Sequence, residues 1–428
     1  MRPEFVASIR FLRCFAVATL LPLIFNCEVV WAQQKTSARP GNPKIRAITA
    51  FINLDRPQYQ QDVADALKML RRAQTTFESR GYQVQTIRIA TQPFPEYTKG
   101  LTKEQAVAFF KEYDALAVKE NFAASIGPAM LHSGDSESQA DLLGEILSST
   151  KKLNGTVVVA GEDGVRWNAV GAAARVMKKL EETTEHSQGN FRFAAIAMVP
   201  PLTPFFPAAY HTGFGHQFAI ALESANIVAA AFKDSRDLGM ARQRLIDSLA
   251  AIAFDVEGHA GRVDQETGWT YMGIDLSPAP SGDVSIGAAI ENLTTQPVGM
   301  SGTLTAAATI TSAVKDIKIK QTGYTGLMLP ILEDTRLAQR WSEGHISIDA
   351  LLSYSAVCGT GLDTVPLPGD VSAEHLSLII GDMASLAVKW HKPLSARLLP
   401  VLGKGWGEMT EFNDPFLVNA KLQSLDSK

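Results

Sequence analysis

The chain has 428 residues, 46% of them apolar and 20% charged, and a formal net charge of −4. That balance is ordinary for a globular protein and excludes a disordered, collagenous or coiled-coil chain. Mild acidity without a basic run argues against a nucleic-acid partner.

The N-terminal segment reads as an export signal. Arg2, Arg10 and Arg13 form a positive region, Cys14 to Phe25 is an uncharged and largely apolar run, and Val30-Trp31-Ala32 sets up cleavage after Ala32. The run is shorter than the about 20 residues that a bilayer-spanning helix needs, so no permanent membrane anchor is expected. The predicted organisation is a signal peptide over 1–32, a polar linker over 33–43 and one α/β domain over 44–428, periplasmic or extracellular after cleavage. Cys14 and Cys27 leave with the leader, and Cys358 remains as a lone thiol in a compartment that permits disulfides.

From the linker onward, short β-rich runs alternate with amphipathic ones. Ile45 to Phe51 predicts a strand. Gln58 to Ser79 predicts a helix, with Val63, Ala66, Leu67, Leu70 and Phe77 on one stripe and Gly81 past its end, and Tyr82 to Ala90 predicts a second strand. Thr102 with Gln105 forms a capping box that opens a helix to about Lys119. Further helices are expected over 136–150, 165–182, 237–254, 303–314, 346–356 and 373–390. Further strands are expected over 156–160, 191–198, 217–222, 271–276, 326–332 and 396–401. This alternation means a parallel α/β fold with right-handed crossovers, and periodicity leaves open whether the sheet closes into a barrel.

Four segments carry candidate chemistry. Val357 to Asp370 (VCGTGLDTVPLPGD) places Cys358 before Gly359-Thr360-Gly361, where exposed backbone amides would favour a thiolate, and adds Asp363 and Asp370 within a rigid Pro- and Gly-framed loop. A small buried apolar cysteine is the competing reading. Pro200 to Asn226 holds His211 and His216 just before a strand and Glu223 just past it. These are weak candidates for a divalent-metal site, with His211 alternatively a general acid or base. Asp255, Glu257 and His259 read as exposed residues of a loop, whereas Asp275 sits inside an apolar strand run, where an acid needs a partner or a role. Arg397 is set apart from its apolar strand neighbours and suits a substrate carboxylate or phosphate. P-loop, nucleophile-elbow and dinucleotide-binding motifs are absent.

Taken in order, YHTGFG, GIDLSPAP with SIGAAIE, GYTGLMLPILED, VCGTGLDTVPLPGD and KPLSARLLP with GKGWGE resemble the domain of unknown function 711 family, related to the uncharacterised protein family 0210 group. The resemblance runs from Ile45 to about Phe412. It implies a ten-stranded α/β barrel like that of pyruvate formate-lyase and other glycyl-radical enzymes, a homodimer, and no assigned reaction or cofactor. His211, Asp275, Glu333, Cys358, Asp363 and Arg397 match the family's patterns. The radical glycine motif and adjacent cysteine pair of the glycyl-radical relatives are missing, so a glycyl-radical enzyme is not expected.

Together these readings predict an exported enzyme acting on a small anionic substrate inside the barrel. Cys358, Asp363, Asp275 and His211 are its candidate catalytic groups, and Arg397 and Glu333 its substrate-binding ones. A metal-dependent hydrolase and a non-catalytic small-molecule binding protein are the alternatives. The export reading has a direct test: N-terminal sequencing of protein recovered from its host should begin at Gln33, and an intact Met1 on cytoplasmic protein would contradict it.

Overall fold

The computed structural model describes residues 41, 43–235 and 237–425; the expected leader, and all but residues 41 and 43 of the linker, lie outside them. Its strands are β1 (Lys44–Ile52), β2 (Val84–Thr91), β3 (Ala123–Ala129), β4 (Leu153–Gly161), β5 (Gly164–Val165), β6 (Phe193–Ala197), β7 (Gln217–Glu223), β8 (Thr270–Asp275), β9 (Gly361–Pro368) and β10 (Leu394–Val401). Helices α1 (Tyr59–Glu78), α2 (Phe94–Tyr97), α3 (Lys103–Glu120), α4 (Ser138–Ser148), α5 (Trp167–Thr183) and α6 (Ala225–Phe232) connect the first half. Helices α7 (Leu238–Thr267), α8 (Ile286–Thr294), α9 (Thr303–Asp316), α10 (Thr335–Ser342), α11 (Ile348–Ser355) and α12 (Ala373–Trp390) connect the second. None of the described helices is long and apolar enough to cross a membrane.

Ladder pairing runs β8-β7-β1-β2-β3-β4-β6-β10-β9, with β5 as a hairpin on β4. Strands β1, β2, β3, β4 and β6 run parallel; β7 with β8, and β10 with β9, run antiparallel to them. Ladder bonding is open between β8 and β9. Residues 321–330 occupy that position and bridge β8 through Ile274 and Gln321, and β9 through Pro330 and Asp363, both in parallel sense. Nine strands and this irregular segment thus make a ten-membered α/β barrel of two parallel halves running in opposite directions.

The segment at 321–330 departs from the strand predicted over 326–332. Pro330 has no amide donor, and the neighbouring backbone groups find partners outside a ladder. Leu327 N–H donates to Thr311 Oγ1 at 3.1 Å, the Leu327 carbonyl accepts from Gly359 N–H at 2.6 Å, and Leu332 N–H donates to Thr364 Oγ1 at 3.2 Å. The reverse happens at 361–368, expected as a loop and found as β9. Its prolines are tolerated because β9 is the terminal strand of the ladder.

Other elements follow the sequence closely. The capping box forms, with Thr102 Oγ1 accepting from Gln105 N–H and Gln105 Oε1 accepting from Thr102 N–H. Helix α7 starts at the Asp237 cap as expected but runs on to Gly268, because the buried stripe Leu245, Leu249, Ala253, Val256, Ala260, Val263 keeps its helical period past 254. Asp255, Glu257 and His259 therefore lie on a helix and not in a loop. His259 is buried, with Nε2 3.4 Å from Asp255 Oδ1 one turn back.

Alternation along the strands separates two environments. Ile45, Ile48, Leu222, Leu394 and Leu398 face outward into the apolar layer under the helices. Inward, Val158, Ala194 and Ile196 pack with Phe205, Ala208, Tyr324 and Met328, and Phe51, Ala90 and Ala219 pack with Phe206 and Ala209. The proline-rich loop around residues 199–211 therefore threads the interior. Ser125 Oγ donates to the Ala209 carbonyl at 2.7 Å, and His211 N–H donates to the Thr91 carbonyl at 2.9 Å.

Candidate functional site

Each inner-wall side chain is placed by strand parity and register. Val158 faces inward on β4, so Asn154 and, just before the strand, Lys152 share that face; Ala194 on β6 likewise gives Arg192 inward parity. Arg88 on β2 pairs with Ala123 on β3. Ala124 pairs with Leu153, which brings Lys152 level with Ala123. Arg46 on β1 and Arg397 on β10 extend the same mouth of the barrel. The result is a belt of five inward cations, Arg46, Arg88, Lys152, Arg192 and Arg397, around a cavity of about 410 Å³. Phe191, Phe205, Phe206 and Glu333 complete its inner walls.

The cations differ in how they are satisfied. Arg397, 4% exposed, donates from Nε to Asp363 Oδ1 at 2.7 Å and from Nη2 to Glu333. Its guanidinium carbon stands 4.9 Å from the Phe191 ring centroid and 5.5 Å from that of Phe205. Burial works against the charge on Arg397, but the two carboxylates outweigh it and hold its pKa up. Arg192 donates to the Leu153 and Leu147 carbonyls, both at 2.9 Å, and burial pushes it down to about 10 against the opposing pull of Asp114 and Asp414.

Arg46 and Arg88 have no carboxylate partner among the described residues. Both are half-buried. Arg46 Nε and Nη2 have no hydrogen-bond partner there, and its Nη1 reaches only Met328 Sδ at 3.5 Å. Arg88 donates from Nε to Thr86 Oγ1 at 2.9 Å and lies over the Phe206 ring at 4.9 Å. Burial, with Arg46 and Arg397 adding to it and Glu333 opposing, pushes Arg88 down to about 9, so it stays charged at neutral pH. Burial also pushes the Glu333 carboxyl above the ordinary range; Asp363 adds to the shift, and Arg397 and Arg46 oppose it.

The structure gathers Asp363, Glu333 and Arg397 but not the other expected groups. Asp275 is fully buried near the end of β8. Its Oδ1 accepts from Ser277 N–H at 2.9 Å, Ser277 Oγ at 2.5 Å and Thr325 N–H at 3.3 Å, which fastens the irregular segment to β8. Gly323, at φ +75°, permits this approach, since a Cβ there would meet Asp275 Oδ2 at 2.6 Å. His211 is fully buried, with Nδ1 2.8 Å from Asn53 Oδ1 and Nε2 2.6 Å from Gln217 Oε1. Burial lowers its pKa, and it anchors the end of the interior loop away from the cavity.

The metal candidates are dispersed. His216 stacks on Trp269 at 4.8 Å, while Glu223, at the far end of β7, pairs with Lys44 at 3.1 Å and Gln85 at 2.9 Å. No group of three or more His, Cys, Asp or Glu side chains among the described residues is arranged to hold a metal ion. Cys358 is 1% exposed, lies in the apolar layer under the helices, and does not line the cavity. Arg397 is also not the free counter-charge that the sequence suggested, because two carboxylates already engage it. Arg46 and Arg88, which sequence reasoning passed over, have no such carboxylate partner among the described residues. The signal was present: each is a lone arginine in an apolar strand run, the pattern that singled out Arg397.

Fold and site define an α/β-barrel protein with a cationic interior cavity. A profile of the family described as Uncharacterised ACR (DUF711) matches residues 39–414, and the chain belongs to that family. A UPF0210 protein from Pyrobaculum islandicum is 34% identical over 396 residues, covering 85% of this chain and 86% of its own. UPF0210 proteins of Syntrophobacter fumaroxidans and Methanopyrus kandleri are 30% and 28% identical, covering 78% and 87% of this chain and 77% and 89% of theirs. Among solved structures, the anaerobic ribonucleotide reductase from Thermotoga maritima aligns with a TM-score of 0.42 at 9% identity, over 82% of this chain and 75% of that one.

Two outcomes follow from these placements. Arg397→Met leaves Asp363 buried without its counter-charge and should cost about 3–5 kcal/mol in denaturant unfolding, with Asp363→Asn added to it recovering part of the loss. A cost below about 1 kcal/mol would mean that the ion cluster is solvated. Cys358 in native protein should resist a thiol reagent that labels it fully in denaturant, and rapid native labelling would contradict its burial.

Proposed function

We propose that the barrel interior binds a small organic anion, that Arg46 and Arg88 hold its charged group, and that Glu333 is the proton-carrying group beside it. One observation carries the reading: on a wall where Arg397 has two carboxylates, Arg46 and Arg88 have none among the described residues, and two nitrogens of Arg46 lack any partner. A half-buried guanidinium without a counter-charge is costly, and an anion that brings charge and acceptors to it offsets that cost. Glu333 is 23% exposed at its side chain, and burial pushes its carboxyl up, which favours the protonated form and suits it to exchange a proton with a ligand atom. In this reading the protein is an exported enzyme whose reaction is a proton transfer on an anionic substrate; the buried Cys358 takes no part.

Calorimetric titration with inorganic phosphate and with hexanoate tests it. At least one of the two should bind saturably, and Arg46→Met or Arg88→Met should weaken it tenfold or more, about 1.4 kcal/mol. Affinity should fall as pH rises through the raised Glu333 value, because deprotonation adds a negative charge beside the ligand, and Glu333→Gln should flatten that dependence. No binding, or binding indifferent to both arginine variants, overturns the reading. A ligand retained by purified protein and identified by native mass spectrometry should be changed on incubation; recovery unchanged would leave binding without chemistry.

A further inference from the structure

The cationic belt has a second station. Lys152 is half-buried, has inward parity and makes no ion pair among the described residues. It is held in place from behind, because Asp114 on α3 accepts from the N–H groups of both Lys151 and Lys152, the latter at 2.6 Å. Arg192 stands beside it, one strand further on: Thr156 pairs with Ala194, which sets Arg192 level with Asn154. Between this station and Arg88 lies only Ala123 on β3, a small apolar residue packed against the Phe206 cluster. Two strand spacings separate the backbones at Arg88 and Lys152, about 10 Å, and both side chains reach inward across part of that distance.

We infer that the ligand carries an anionic group at each end of a short apolar chain, one end on Arg46 and Arg88, the other on Lys152 with Arg192. This rests on the proposed anion site and adds its substrate class. A monoanion satisfies the inner pair and leaves Lys152 without a counter-charge. An apolar linker matches Ala123, which offers no hydrogen bond to the middle of the molecule. The separation sets an optimum length, because too short a chain reaches one station only and too long a chain must buckle.

The test is a calorimetric comparison of glutarate, adipate and pimelate with the monocarboxylates of the same carbon number, at low ionic strength, on the full chain. One diacid should bind at least tenfold tighter than its monoacid, with an optimum within the series, since a general attraction of extra charge has no length optimum. Lys152→Met should reduce that diacid to the affinity of the monoacid while weakening the monoacid less than threefold, whereas Arg88→Met should weaken both tenfold or more. An unchanged melting temperature shows that Lys152→Met folds. Diacids that bind less than threefold tighter at every length, a preference without an optimum, or a Lys152→Met variant that weakens both classes alike overturns the two-station ligand. If the monoacids still bind and still depend on Arg88, the simpler anion site survives; if nothing in either series binds, both readings fall.

Discussion

Arg397 engages two carboxylates at once, and what remains of the inner wall follows from that ion cluster. Asp363 and Glu333 both pair with that one guanidinium, while Glu120, Glu223 and Asp414 also line the cavity. That pairing is confined to β9 and the short turn before α10, and Arg46 on β1 and Arg88 on β2 are left without an ion pair among the described residues. Two unit charges about 7 Å apart at an effective dielectric of about 20 repel by roughly 2 kcal/mol. Arginines grouped on neighbouring strands without carboxylates therefore work against folding. Burial in the apolar layer under the helices bears that load.

The interior loop closes one end of the cavity. Phe205 and Phe206 form the inner end of the cavity and lie against the guanidinium groups of Arg46, Arg397 and Arg88. Beyond them the same loop is fastened at Ser125, Thr91, Asn53 and Gln217, so His211 is separated from the cavity by the aromatic pair it helps to hold. The belt sits where β1, β2 and β4 begin, which is the end left open.

Much of the fold was legible because local chemistry and tertiary packing agree there. The Thr102–Gln105 cap, the stripe of α1 and the apolar runs of β1, β4 and β10 each specify one structure. Legibility failed where tertiary context overrode composition. Ala123–Ala129 carries Gly127 and Pro128 and forms a strand only because it lies between β2 and β4. Gly361–Pro368 looks like a turn and is held extended along β10. The candidate site divides in the same way. Charged residues that break an apolar strand run are visible in sequence, but which of them keeps an unspent charge depends on partners from distant segments: Asp363 and Glu333 meet Arg397 across 34 and 64 residues.

The same dependence on distant partners bears on the lone cysteine. A reactive thiol needs access to substrate and a neighbour that stabilises its charge. Cys358 follows α11 on the helix side of the sheet, and the nearby Lys392 spends its ammonium on the Ser355 carbonyl at 2.8 Å, capping the end of that helix. This cation completes a helix terminus, and burial pushes it toward its neutral form. The GTG sequence after Cys358 serves the barrel: Gly359 N–H bonds the Leu327 carbonyl, and a Cβ at Gly359 would come within 2.8 Å of Gly326. These glycines let the irregular segment lie against β9. On the proposed reading, the chemistry of the protein lies among the arginines and Glu333 of the inner wall.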